Sequence, residues 1–251
     1  MRGDGSSPLS QNGQRLAGAF FGQSSFATHA VVPGRSAVKV PRDVPLHLLG
    51  PLGCGIITGA GSVLEAFRLR PGQSIAVFGV GSVGLAAVMA AALAGASHIV
   101  AVDIDPARLE LARALGASDS VPATDGTIGA LREIMPGGFD FTFNTTSVPA
   151  VFDAALATLG SEGTAGYVTR PLGDWTPPLA AMMARGQKLH GILGGSAAPQ
   201  IYIPMLVEYW RQGRFPFDRL ATSFGFDDIA TAWAACSSGA AIKPILLMEA
   251  A

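Results

Sequence analysis

A chain of 251 residues is long for one small domain and short for two full ones, so its length predicts one complete domain and part of another. The formal charge of -1, with no run of Lys or Arg, offers no footprint for nucleic acid or an anionic membrane, leaving a small neutral or weakly polar ligand as the expected partner. Cys54 and Cys236 are too few for a disulfide framework, and nothing near Met1 has the charged-then-apolar order of a signal peptide, so a cytoplasmic setting is expected.

Met1 to Arg15 is polar and rich in Gly and Ser, which predicts a loop or frayed end. Between Leu16 and Val40, short apolar runs (Ala19 to Phe21, Phe26 to Val32, Ala37 to Val40) broken by Gly, Pro and Ser predict a small β unit, with His29 on one of its strands. Pro45 to Arg70 is expected to be helical in two pieces parted around Gly53 and Gly55, with His47 on the first. From Ser74 the rhythm becomes strand, helix, strand: Ser74 to Phe78, Ser82 to Ala94, His98 to Val102, Pro106 to Leu115, then strands near Ser118, Phe139, Gly163 and Lys188. Alternation of this kind means a parallel sheet with helices on both faces. Beyond Phe215 the tail has its own strand and helix signals, ending in Lys243 to Met248, and is expected to return to the first unit. Ile75 to Val102 contains no Asp, Glu, Lys or Arg, but its glycines and the β-branched cluster at each end mark a buried strand, helix and strand rather than a membrane span.

Gly79-Val80-Gly81-Ser82-Val83-Gly84 follows an apolar strand and opens an Ala-rich helix, the context that gives a GxGxxG run its meaning. Gly79 allows a tight turn, Gly81 lets backbone approach a pyrophosphate, and Gly84 lets helix and strand pack closely, while the helix N-terminus offers free N-H groups to the phosphates. Asp103 closes the next strand, where a carboxylate accepts hydrogen bonds from both ribose hydroxyls and repels a 2'-phosphate; NAD is therefore expected over NADP. The class is α/β, a Rossmann doubly wound parallel sheet. Asp105, just before Pro106, reads as a helix N-cap with proline at the first helical position. S-adenosylmethionine is the competing ligand, since methyltransferases also pair a Gly-rich first turn with an acidic residue after the second strand.

The run Pro51-Leu52-Gly53-Cys54-Gly55-Ile56-Ile57-Thr58-Gly59-Ala60-Gly61-Ser62, followed by Pro71-Gly72 and the glycine motif, resembles the zinc-type medium-chain alcohol dehydrogenases. Phe20 to Ala27, Tyr209 to Asp218 and Ile242 to Leu246 are similar to the aryl-alcohol (benzyl-alcohol) branch, so the likeness runs from about Gly3 to Met248. The resemblance implies three parts: residues 1–53 as a remnant of a GroES-like β catalytic domain, 54–215 as the NAD-binding domain, and 216–251 as a return to the catalytic domain. It also implies that Cys54 is a ligand of the catalytic zinc and that Thr58 lies beside the nicotinamide. Asp103 and Arg108 take the adenosine ribose, the backbone of Tyr167, Val168 and Thr169 holds the nicotinamide carboxamide, and Lys243 approaches the pyrophosphate from the tail. The implied chemistry is oxidation of a primary, aromatic alcohol to its aldehyde with NAD, in a homo-oligomer (dimer or tetramer), zinc stabilising the developing alkoxide.

The chain departs from the aryl-alcohol pattern at Gly194 to Ala197, where the acidic run of that branch is missing, and it has no counterpart of the lobe that carries the other zinc ligands. The expectation is therefore a piece of a longer enzyme, inactive by itself and prone to associate through Phe20, Phe21 and the strand from Phe26 to Val32. A non-catalytic NAD-binding module and a zinc-free enzyme like the quinone reductases are the alternatives. Neither His29 nor His47 stands at a ligand position of the family, Cys236 is expected to be structural, and Trp175, Tyr209, Trp210 and Trp233 are expected to be core or interface side chains.

Overall fold

The computed structural model describes residues 4–7, 9–16, 18, 26–27 and 29–248. The first element is a hairpin: strands β1 (Leu9–Gln11) and β2 (Gln14–Leu16) pair antiparallel around Asn12 and Gly13, whose φ angles are 51° and 75°. Two left-handed residues in succession make a type I' turn, whose twist matches that of the strands, so Asn-Gly overrides the polar composition that predicted a loop. The small β unit expected beyond it does not form among the described residues. Residues 29–33 are irregular, followed by a 3-10 turn at Gly34–Ser36, and Val31 is 93% exposed. A strand needs a ladder of N-H and C=O pairs with a neighbouring strand, and residues 29–33 are not assigned to one. His29 accordingly lies in irregular chain, not on a strand, and Ala19 to Phe21 fall outside the described residues.

The helical stretch that follows is broken where expected. Two 3-10 turns, Leu46–Leu48 and Gly50–Gly53, lead to Cys54, whose φ/ψ of -141°/-80° interrupts the helix before α1 (Gly55–Gly61). The chain then widens into a π-turn over Ser62–Ala66, with Phe67 N-H reaching the Ser62 carbonyl at 2.9 Å.

Six parallel strands form the main sheet: β3 (Ser74–Phe78), β4 (His98–Asp103), β5 (Asp119–Pro122), β6 (Phe139–Asn144), β7 (Leu159–Tyr167) and β8 (Lys188–Gly191), in the order β5-β4-β3-β6-β7-β8. The helices between them are α2 (Ser82–Leu93), α3 (Pro106–Ala114), α4 (Thr127–Ile134), α5 (Pro149–Ala157) and α6 (Leu179–Arg185). Successive side chains of β3 alternate between faces. Ile75 and Val77 pack with α1, α2 and Phe143, while Ala76 and Phe78 pack with Val100, Val102, Leu131 and Ala155 on the α4–α5 side. All five β3 residues are buried, as expected for a strand covered on both faces.

The charge-free helix α2 is enclosed between this sheet and α1, which explains its composition. No single helix among the described residues is long and apolar enough to cross a membrane. Its contact with α1 is backbone-close: a Cβ on Gly59 would stand 2.1 Å from the Val83 carbonyl oxygen.

After α7 (Pro199–Arg211), the chain forms β9 (Ala221–Gly225), α8 (Ile229–Ser238) and β10 (Lys243–Leu247). The two strands pair in parallel, and β10 lies against the 3-10 turns at Leu46–Gly53.

Candidate functional site

The strand order reverses between β3 and β6, and in open α/β sheets the carboxyl ends of the strands at such a point form a ligand crevice. The glycine run sits there. Gly79 leaves β3 at φ +81°, a conformation favouring glycine, and Gly81 is the extended N-cap of α2. A Cβ on Gly84 would meet the Gly79 carbonyl oxygen at 2.0 Å, so the helix packs directly on the turn. At Gly81 a Cβ would meet nothing within 4 Å. The turn therefore presents open space to a ligand at the start of α2, where Ser82 and Val83 bring the first free amides of the helix.

Asp103 ends β4 and is only 6% exposed. Its Oδ2 accepts from Val80 N-H at 2.7 Å and its Oδ1 from Asp105 N-H at 3.0 Å. Asp105 caps α3 as expected, accepting from Ala107 N-H at 2.9 Å with Pro106 at the first helical position. Arg108 Nε lies 3.5 Å from Asp105 Oδ2, and its Nη2 would be 2.9 Å from a Cβ on Gly239, just past α8. A cleft of about 320 Å³ joins Gly79, Gly81, Asp103 and Arg108 with Ile104, Thr145, Thr146 and Val148. Ile104 is 82% exposed, an apolar face at the mouth of this cleft.

A second cleft, of about 260 Å³, is lined by Tyr167, Val168, Thr169 and Arg170 with Gly191, Ile192 and Leu193. Thr169 Oγ1 donates to the Thr146 carbonyl, linking the rims of the two clefts. Thr58, half-buried on α1, accepts at its carbonyl from Ser62 Oγ at 2.7 Å, and that same carbonyl packs on Gly195 beyond the second cleft. Lys243 comes from β10 to the amino ends of α1 and α2: a Cβ on Gly55 would lie 3.7 Å from Lys243 Nζ and 3.3 Å from Ser82 Oγ. The structure thus gathers Gly79, Gly81, Asp103 and Arg108 into one cleft and Tyr167, Val168 and Thr169 into a second, with Lys243 beside Ser82.

The end of β6 and the start of the loop after it, Asn144-Thr145-Thr146, were missed by sequence reasoning. Asn144 is 1% exposed, and its Oδ1 accepts from Thr146 N-H at 2.8 Å and Thr146 Oγ1 at 3.0 Å. Its one legible signal was position: three hydrogen-bonding residues at the carboxyl end of a strand of the parallel sheet.

Zinc fits less well. Cys54 is exposed at the N-terminus of α1, and among the described residues no three His, Cys, Asp or Glu side chains come together as a metal site. Neither His29 nor His47 completes one. Cys236, expected to be structural, is exposed on α8. His98 begins β4 as expected. Trp175 packs on Phe152 with centroids 5.0 Å apart, and Trp210 Nε1 donates to Asp218 at 2.9 Å, so these two serve the packing as expected. Trp233 is 74% exposed on α8, so it is not a core side chain of the described residues.

A parallel six-stranded sheet with helices on both faces, a glycine turn at its switch point and an acidic residue closing the next strand together define a Rossmann-type α/β fold. The zinc-binding dehydrogenase family model matches residues 82–209, and the chain belongs to that family of medium-chain alcohol dehydrogenases. It is 43% identical over 250 residues to geraniol dehydrogenase of Castellaniella defragrans, covering 98% of this chain and 67% of that protein. Among solved structures it is similar to an alcohol dehydrogenase zinc-binding domain protein from Burkholderia ambifaria (TM-score 0.91, 45% identity, 97% of this chain and 67% of that one). It is also similar to benzyl alcohol dehydrogenase from Acinetobacter calcoaceticus (TM-score 0.88, 40% identity, 91% of this chain and 64% of that one). The chain thus spans about two thirds of the length of these relatives.

Proposed function

We propose that this chain binds NAD as the cofactor-holding part of an oxidoreductase that interconverts a primary, aromatic alcohol and its aldehyde. The observation that carries the reading is the Gly79–Gly84 turn facing Asp103 across one cleft, with Lys243 at the amino end of α2. Gly81 and the first amides of α2 would receive the pyrophosphate, assisted by the Lys243 ammonium, and Asp103 and Arg108 would hold the adenosine ribose. The Tyr167–Thr169 backbone would orient the carboxamide and Thr58 the nicotinamide face. When bound, NAD supplies the hydride acceptor, and the task of the chain is to fix its position relative to the carbinol carbon.

Support for an aromatic or similarly unsaturated primary alcohol comes from the relatives named for geraniol and benzyl alcohol. Cys54 would be the contribution of this chain to a catalytic zinc. One thiolate does not hold a tetrahedral metal, and among the described residues no three His, Cys, Asp or Glu side chains come together as a metal site. The reading for the chain by itself is therefore nucleotide binding without alcohol turnover, which requires ligands from outside the described residues. The proposed division of the chain is 1–53 and 216–251 to the catalytic part and 54–215 to the NAD-binding part.

Calorimetric titration of the purified chain with NADH and NADPH tests the reading, with a zinc assay alongside. NADH is expected to bind and NADPH to bind at least tenfold more weakly, because a 2'-phosphate at Asp103 meets a carboxylate. Asp103→Ala is expected to lower NADH affinity by about 2 kcal/mol, the scale of hydrogen bonds to a charged group. Failure of the wild-type chain to bind either nucleotide would sink the proposal.

A further inference from the structure

The peptide unit joining Gly79 to Val80 is gripped at both ends. Its N-H, on Val80, donates to Asp103 Oδ2 at 2.7 Å, and its C=O, on Gly79, accepts from Thr145 Oγ1 at 2.7 Å. One grip comes from the end of β4 and the other from the loop after β6, 66 residues along the chain. Thr145 is itself held as an extension of β6, its N-H donating to the Phe78 carbonyl at 2.9 Å. The turn and this loop are in direct contact: a Cβ on Gly79 would lie 2.6 Å from Thr145 Oγ1.

The orientation of this one peptide decides what the turn offers a ligand. Its carbonyl points inward, toward Thr145 and the Cα of Gly84, and away from the open space at Gly81. Gly79 has no side chain to resist rotation of the plane, so the two hydrogen bonds supply the resistance. Were the carbonyl to turn outward, its negative end would face the phosphates that the α2 amides attract.

We propose that Thr145 is a positioning residue for dinucleotide binding, its hydroxyl acting opposite Asp103 to hold the Gly79–Val80 peptide in the orientation that leaves the start of α2 open to a pyrophosphate. The inference rests on the NAD-binding reading above. The site needs no reorganisation when the ligand arrives, and the contribution of Thr145 is felt only by ligands that reach the turn.

The test is calorimetric titration of wild type, Thr145→Val and Thr145→Ser with NADH, ADP-ribose and adenosine. Thr145→Val keeps the shape and removes the hydroxyl, leaving the Gly79 carbonyl without its side-chain donor. About a tenfold loss of affinity is expected for NADH and ADP-ribose, with adenosine unmoved and Thr145→Ser restoring most of the loss. A general folding defect would weaken all three ligands together and would not distinguish serine from valine, and that pattern overturns the proposal. So does NADH affinity in Thr145→Val equal to wild type. Should Thr145→Val not fold, Thr145→Ala is titrated in its place, and amide hydrogen exchange supplies a readout that needs no nucleotide. Faster exchange at Val80 than in Thr145→Ser is expected, and equal exchange overturns the proposal. A wild-type chain that binds neither NADH nor ADP-ribose overturns the functional reading and this inference with it. Wild-type binding undiminished in the variant overturns this inference alone.

Discussion

Asp103 shows how much one carboxylate is asked to do. An ionised carboxylate has about four acceptor positions, and Val80 and Asp105 N-H groups occupy two of them, so capacity for two ribose hydroxyls remains. The spacing of Asp103 from the glycines was legible in the sequence because it follows from the length of one helix and one strand. Its second task, holding the Val80 amide, was not, because that depends on where the turn folds in space. Tyr202 on α7 offers a separate check on the packing. Its hydroxyl donates to Glu65 Oε2 at 2.8 Å, tying α7 to the widened turn after α1, and burial, followed by that bond and the Glu65 charge, pushes its pKa from 10.0 up to about 12. Below pH 10 both folded and unfolded states keep the proton and the contribution to stability is whole. As pH rises from 10 toward 12 the unfolded chain loses the proton first, so stability falls. Tyr202→Phe is expected to remove that part of the alkaline slope while lowering stability at neutral pH. Urea unfolding followed across the alkaline range checks both.

At the level of elements, the contact between α1 and α2 leaves no room for a side chain at Gly59. Replacing Gly59 with alanine would raise helix propensity by about 1 kcal/mol. Against that, the new Cβ would stand 2.1 Å from the Val83 carbonyl oxygen, and this obstacle is backbone rather than a flexible side chain. Overpacking of this kind costs about 3 kcal/mol, so Gly59→Ala is expected to destabilise the fold by about 2 kcal/mol net, seen as a lower urea midpoint at unchanged slope. The glycine-rich run 53–61 was read from its likeness to a family, and the packing supplies the physical reason for part of it. The opposite lesson comes from the amino-terminal strands. The Asn12-Gly13 turn is purely local and was there to be read, whereas residues 29–33, despite their apolar composition, are irregular.

For the whole molecule, surface chemistry points to association. Among the described residues strand β8 is an edge of the main sheet, and Leu179 and Met183, one turn apart on α6, are 68% and 80% exposed. Unpaired strand edges and clustered apolar surface favour self-pairing. Light scattering is expected to give at least twice the monomer mass, shifted toward monomer in Met183→Glu; a wild-type monomer at all concentrations would refute this. The sequence by itself determined the strand–turn–helix order, the glycine turn, the cap at Asp105 and the class of fold, because backbone conformation and side-chain periodicity are set by residues adjacent in the chain. Only the tertiary structure decided that Thr145 meets Gly79 and that Lys243 arrives beside Gly55 and Ser82. Those contacts join segments far apart in sequence, and their formation depends on how the sheet and helices pack, which no local pattern encodes.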